Sequence, residues 1–307
     1  MRVIVTGGSG LIGTALAGSL AADGHDVIVL SRSPERLTGL PPGAHAERWD
    51  GKSADGWGPL ADGAHAIVNL AGENIGGTTL FEVLFGHWTP ARKRRILQSR
   101  ADAGRAVVEA VARASVKPRV IVQPSGVGFY GLGRDTAQRE DAPPGDDFLA
   151  RVCVDWEAST AAVETMGVRR VVFRSGVVLT PHGGILPLLL LPFRLFAGGR
   201  LGSGQQWFPW VHLEDQVGAI RFALENDQVR GTFNLCAPHV LRNREAVPII
   251  ARRLRRPAWL PVPALALRLL LGEKHVLVLD GQNAPPDRLQ AAGFTFRRPR
   301  LEQALGA

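Results

Sequence analysis

The segment that most constrains this chain is Val5-Thr6-Gly7-Gly8-Ser9-Gly10-Leu11-Ile12-Gly13. It follows a short apolar run, Val3 to Val5, and opens a helical pattern from Leu11 to Ala22 that stops at Gly24. A glycine triplet alone is weak evidence. Placed between the first strand and the first helix, it is the signature of a dinucleotide site. Gly7 permits a tight turn, Gly10 lets the backbone approach a pyrophosphate, and Gly13 lets the helix pack closely on the strand. The N–H groups at the helix start, with Ser9, Leu11 and Ile12 around them, face the phosphates. The spacing also reads as Gly8-x-Gly10-x-x-Gly13, so the register is open. A bare structural turn is the alternative.

Strand and helix patterns alternate after the loop. Val27 to Leu30, Ala46 to Trp49, Ala66 to Leu70, Val120 to Gln123 and Val171 to Val178 read as strands. Thr89 to Ala114 reads as a long helix with Thr89 as N-cap and Pro90 at the first position. Asp147 to Met166 reads as another, stopped by Gly167. Runs apolar throughout fit strands buried on both faces. The expectation is an α/β fold: a Rossmann-like doubly wound parallel sheet with a smaller C-terminal subdomain on the substrate side. Residues 1–180, with contributions from 205–240, form the nucleotide-binding part, and 181–307 the subdomain. In the later part, helices are expected near Asp215 to Glu225 and Leu265 to Gly272, and a strand near Thr232 to Leu235.

The strand ends point to the cofactor. An NAD site carries an acid after the second strand to bind the ribose 2′-OH. Here the residues are Leu30-Ser31-Arg32. No acid repels a 2′-phosphate, and Arg32 can pair with it bidentately. NADP(H) is therefore expected in preference to NAD, with Arg36 assisting. A solvated loop arginine is the alternative. Asp50 is placed to meet the adenine, or is a simple loop acid. Leu70, Ala71 and Gly72, small at the end of the fourth strand, let a ribose lie on the backbone. Ser125 sits at the carboxyl edge, where ligands bind in such folds.

Composition excludes other classes. In 307 residues there are two cysteines, Cys153 and Cys236, too few for a disulfide framework or a multi-cysteine zinc site. No metal is expected. The only tyrosine is Tyr130 and the only lysines are Lys52, Lys93, Lys117 and Lys274. Position 134 is an arginine, so no Tyr-x-x-x-Lys pair exists in the chain. The net charge of +8 raises nucleic acid as a partner, but the arginine runs lack interleaved aromatics, and none is expected. Ile185 to Phe196 is apolar, but short and broken by Pro187 and Pro192, so no membrane span is expected. The start has no signal-peptide architecture. A cytoplasmic location is expected.

These motifs resemble the extended short-chain dehydrogenase/reductase superfamily. Within it, the chain is similar to an atypical NAD(P)-dependent epimerase-family branch with a C-terminal domain of unknown function. The resemblance rests on ordered matches along nearly the whole chain. They include the Gly7 to Gly13 loop, Asn69 to Ile75, Trp88-Thr89 and Ser99-Arg100. Ser125 to Gly131, Pro144 to Phe148, Asp155-Trp156-Glu157 and Arg174 to Leu179 follow, then Gly202 to Gly204, Gln206-Trp207, Trp210 to His212 and Ala292-Gly293-Phe294. It implies a Rossmann fold holding NADP, with Ser175 and Gly176 near the cofactor and a small-molecule cleft under the C-terminal part. A homodimer is common in the superfamily, and no residue here requires one.

The wider superfamily uses a Tyr that exchanges a proton with substrate and a Lys four residues on that holds the ribose. Aligning Trp156-Glu157 with the family's usual glutamate puts Leu149 at the Tyr position and Cys153 at the Lys position. Neither does the job, so ribose contacts must come from elsewhere. Tyr130 then stands as a proton donor, or merely packs. Ser125 can bond a substrate carbonyl, or is a structural strand-end hydroxyl. His212 is a candidate acid or base, or fixes a loop. Gln206, Trp207 and Trp210 are expected to line the cleft, with Glu73 and Asn74 within reach, and Asp215 is expected to cap its helix. Two functions remain open. One is an NADP(H)-dependent oxidoreductase or epimerase acting on a small carbonyl, hydroxyl or nucleotide-sugar substrate. The other is a non-catalytic NADP-binding sensor or scaffold.

Overall fold

The structure is a computed structural model that describes residues 1–37, 40–77 and 79–306. The chain begins with β1 (Arg2–Thr6), α1 (Leu11–Ala22), β2 (Asp26–Ser31), β3 (Ala44–Arg48) and β4 (Ala66–Asn69). It continues through α2 (Leu80–Phe85), α3 (Pro90–Arg113), β5 (Val120–Gly126), α4 (Phe148–Ala158) and β6 (Arg169–Ser175). Next come β7 (Val177–Thr180), β8 (Gly183–Gly184), α5 (Leu186–Arg194), β9 (Trp210–His212), α6 (Leu213–Glu225) and β10 (Gly231–Leu235). Five helices close the chain: α7 (Asn243–Leu254), α8 (Ala264–Leu271), α9 (Val276–Leu279), α10 (Asp287–Ala291) and α11 (Leu301–Ala304).

Seven strands form one parallel sheet in the order β10-β6-β5-β4-β1-β2-β3. The chain winds outward from β1 in one direction, then from β4 in the other, so the reversal falls between β1 and β4. Ligands bind at the carboxyl ends of such a pair. Alternation along β1 decides which face each side chain serves. Val3 and Val5 pack with Leu16, Leu20, Ile220 and Leu224 of α1 and α6. Ile4 packs on the opposite face with Ala103, Val107 and Val111 of α3. A third core joins Leu186, Leu190 and Phe193 of α5 to Val247 and Ile250 of α7 and Leu301 of α11.

Several boundaries follow the sequence closely. Thr89 caps α3, its hydroxyl accepting the Arg92 N–H at 3.2 Å. Two differ. The run Val171 to Val178 is two strands, because the chain breaks at Gly176. A side chain there would strike the Pro209–Trp210 backbone at 2.8 Å, and β7 leaves to pair with β9 in a small second sheet with β8. The helix expected from Asp147 to Met166 ends at Ala158, and a short 3-10 turn from Ala161 to Met166 carries the chain to Gly167.

Candidate functional site

The glycine loop sits at the reversal point. Gly7 takes φ +65°, and the Gly10 N–H donates to its carbonyl at 3.0 Å. A Cβ on Gly7 would lie 2.8 Å from the Leu70 carbonyl carbon, so the ends of β1 and β4 meet with no side chain between them. A Cβ on Gly13 would lie 2.5 Å from the Gly8 Cα. The register is thereby fixed: Gly7 makes the turn and Gly13 the close packing. Ser9, Gly10 and Leu11 are exposed, Ile12 is half-buried, and no side chain caps the start of α1. Its first N–H groups and positive dipole end are open to an anion.

At the end of β2 the Ser31 hydroxyl accepts the Ser33 N–H at 3.1 Å. Arg32 is exposed, and among the described residues its guanidinium has no ion pair. Its stem lies beside Gly51. Arg48, nearby, is held by Glu35 at 2.9 Å. Asp50 is exposed and held in a turn. Its carboxylate accepts the N–H groups of Lys52 and Ser53 at 2.7 and 2.9 Å and the Ser53 hydroxyl at 3.0 Å. Slight burial works to raise its pKa, but these bonds prevail and lower it. It is a turn acid.

Under the ends of β4 and β5 runs a buried polar chain that the sequence reading missed. The Thr6 hydroxyl donates to Asn69 Oδ1 at 2.8 Å, and Asn69 Nδ2 donates to Gln123 Oε1 at 3.0 Å. The Thr160 hydroxyl donates to the same Gln123 oxygen at 3.2 Å. The Ala71 N–H donates to Thr6 Oγ1 at 3.1 Å, which pins the Leu70-Ala71-Gly72 backbone facing the loop. At the ends of β5 and β6, the Ser175 hydroxyl is buried without a hydrogen-bond partner and the Ser125 hydroxyl has only the Cys153 thiol to bond. Buried hydroxyls are ordinarily paired, and these two stand at the carboxyl edge where a ligand would meet them. The bare glycine cradle, the uncapped helix, the free Arg32 and these two hydroxyls fit a dinucleotide.

The other candidates are dispersed. Tyr130 is fully buried; its hydroxyl donates to Asn234 Oδ1 at 2.6 Å and accepts from Arg174 Nη1 at 3.2 Å. Arg174 is locked to Glu157 by two bonds of 2.9 and 3.0 Å. Burial pushes the Tyr130 pKa up to about 12. Both roles of its oxygen are filled within the protein, the packing alternative for Tyr130. His212, not Asp215, caps α6: its Nδ1 accepts the Glu214 N–H at 3.2 Å. His212 opens on a groove between α1 and α6 that contains Ala15, Ser19 and Arg221 but neither Ser125 nor Tyr130. Burial lowers its pKa. Asp215 is buried and accepts the N–H groups of Arg297 and Arg298 at 2.6 and 3.0 Å. Trp210 belongs to the α5–α7 core, which corrects its placement on the cleft wall. Gln206 ties Leu201 to Val278 through its amide, at 3.1 and 2.9 Å. Trp207 donates to Asp135 at 2.9 Å and lies under Arg242. Glu73 pairs with Arg95 at 3.3 Å, and Asn74 Oδ1 accepts the Gly77 N–H at 2.7 Å.

This geometry agrees with the comparisons. Residues 3–236 match the model of the NAD dependent epimerase/dehydratase family. The chain belongs to that family. Residues 262–307 of this epimerase-family chain match a domain of unknown function, DUF1731. It is 38% identical over 308 residues to the epimerase family protein YfhF of Bacillus subtilis, covering 99% of this chain and 97% of the relative. It is 37% identical to human epimerase family protein SDR39U1, covering 99% and 98%. The crystal structure of human SDR39U1 (isoform 2) with NADPH superposes with TM-score 0.85 at 35% identity, covering 99% and 98%. This chain is thus an NAD(P)-binding epimerase-family protein. Among the described residues, no helix is long and apolar enough to cross a membrane.

Proposed function

We propose that this chain binds NADP(H) in preference to NAD(H) and acts as an oxidoreductase or epimerase on a small carbonyl, hydroxyl or nucleotide-sugar substrate. The observation that carries the reading is Arg32, an exposed guanidinium with no ion pair among the described residues, at the end of β2 where an NAD site would place an acid. A guanidinium pairs with a 2′-phosphate bidentately, and an acid there would repel it. The NADPH bound to the human relative supports the same choice. The Gly7 to Gly13 loop would hold the pyrophosphate, with Leu70 to Gly72, Ser175 and Gly176 along the rest of the edge. When bound, NADP(H) supplies or accepts the hydride. The Ser125 hydroxyl, which has only the Cys153 thiol beside it, is the group placed to donate a hydrogen bond to a substrate oxygen.

The second reading, a cofactor-binding sensor without turnover, draws on the same site. The lone tyrosine is saturated, and Leu149 and Cys153 stand on the helix that faces the end of β5. A panel of carbonyl compounds and nucleotide sugars tests the two, with NADPH consumption followed for the native chain and for Ser125→Ala. Turnover that falls in the variant supports the enzyme. Tight binding with no turnover across the panel supports the sensor.

A further inference from the structure

One buried cation at the carboxyl edge makes no ion pair among the described residues. Arg100, on α3, is 6% exposed. Its Nη1 donates to the backbone oxygens of Glu73 and Ile96, both at 3.0 Å. Its Nε is buried without a partner, and its Nη2 makes no hydrogen bond among the described residues. The guanidinium stacks on Trp156 of α4, 4.6 Å from the ring centroid. Among the described residues no carboxylate forms an ion pair with it; that of Glu73, bound to Arg95, attracts it only from longer range. Burial lowers its pKa to about 10, which leaves it charged near neutral pH.

Its surroundings are the cofactor-facing ends of two strands. A Cβ on Gly72, the exposed residue after β4, would come within 2.9 Å of the guanidinium carbon. Cys153 lies on the other side, its sulfur 3.7 Å from the Cβ position of Gly126 at the end of β5. Burial pushes that thiol up to about 11, so it is neutral and cancels none of the charge. A desolvated cation left with unmatched donors is costly in a folded chain. It is tolerated where a ligand supplies the missing acceptors. The loop on β1 and Arg32 on β2 account for the pyrophosphate and the adenosine half. In a doubly wound sheet the other half of a dinucleotide lies beyond the reversal point, over β4 and β5.

We propose that Arg100 is a cofactor-binding residue whose Nη2 N–H groups hold the hydroxyls of the nicotinamide ribose. The proposal rests on the NADP(H) reading above. It makes Arg100 the fixed cation of a site that has no lysine at that place. Arginine suits the role because it remains charged when buried and its planar fork keeps donors aimed in two directions.

The test uses two ligands on the full chain. NADPH carries both halves of the dinucleotide, whereas 2′,5′-ADP carries only the adenosine half with its 2′-phosphate. Calorimetric titration of the native chain, Arg100→Met and Arg100→Lys with each is expected to give a selective result. Arg100→Met weakens NADPH roughly tenfold or more and leaves 2′,5′-ADP unchanged, and Arg100→Lys recovers part of the loss. If Arg100→Met does not fold, Arg100→Gln, which keeps a donor toward the Ile96 carbonyl, takes its place. Equal weakening of both ligands would make Arg100 a structural residue and overturn the proposal. Unchanged NADPH affinity would overturn it too, while the NADP(H) reading stood. A native chain that bound neither ligand would remove both.

Discussion

The hydroxyl of Tyr130 donates to Asn234 Oδ1 at 2.6 Å, 104 residues away in sequence, and none of the ring reaches solvent. The chain's one tyrosine therefore joins β10 to the segment after β5. Tyr130→Phe leaves the Asn234 oxygen and one Arg174 donor short of a partner, and should cost about 1–3 kcal/mol of stability. NADPH affinity should not change. Urea unfolding beside a cofactor titration checks both. A fully stable variant with lost turnover would return Tyr130 to the chemistry.

Two glycines of α1 should respond in opposite directions to the same substitution. Alanine improves helix propensity by about 1 kcal/mol over glycine. Gly18 has nothing within 4 Å of its Cβ position, so Gly18→Ala should stabilise by about 0.5–1 kcal/mol. At Gly13 the new carbon meets the backbone of Gly8 at 2.5 Å and of Gly7 at 2.6 Å, and backbone cannot swing aside. The clash should win, with a net loss of about 1–3 kcal/mol and of dinucleotide binding. Thermal unfolding of the two variants decides it; a stabilised Gly13→Ala that still binds would contradict the packing described.

Asn69→Leu probes the buried polar chain. It leaves the Thr6 hydroxyl proton without an acceptor, its oxygen still bonded by the Ala71 N–H, and leaves the Gln123 amide oxygen with Thr160 alone. The expected cost is at least about 2 kcal/mol, read as a lower urea midpoint with an unchanged slope. A neutral variant would mean that water serves these groups as well as Asn69 does.

His212 gives the fold a pH dependence of definite sign. Burial holds its pKa below the ordinary 6.5, outweighing the pull of Glu214 and Asp215. As pH falls through 6.5 the unfolded chain takes up the proton first, so the stabilisation is present above that value and is lost below it. His25 shifts the same way, through burial, the N-terminal ammonium and Arg221. The melting temperature should be lower near about pH 5.5 than near about pH 7.5. In His212→Asn, where asparagine can still accept the Glu214 N–H, the slope should shrink. An unchanged slope would remove His212 as the source.

The first βαβ unit was legible because its signals are local. The turn glycine Gly7, the apolar run of β1 and the helix stop at Gly24 lie within a few residues of what they determine. The site beyond the reversal point was not. Thr6 meets Asn69 across 63 residues and Asn69 meets Gln123 across 54, and no spacing rule links them. Arg100 entered only as a matched residue of the resemblance, with no role, because nothing local shows that Gly72 and Trp156 will enclose it. The break at Gly176 depends on Pro209 crossing from another segment. Trp210 and His212 read as cleft residues from their polar and aromatic neighbours, but β9 turns one into a core and the other into a helix cap.

The central claim is that the carboxyl edge of this sheet holds NADP(H) and that Arg32 selects it. Calorimetric titration of the nucleotide-free chain with NADPH and with NADH, repeated on Arg32→Asp, tests it most directly. The account predicts tight NADPH binding, weak NADH binding, and a preference that collapses in the variant. Equal affinity for the two in the native chain, or binding of neither, would contradict it.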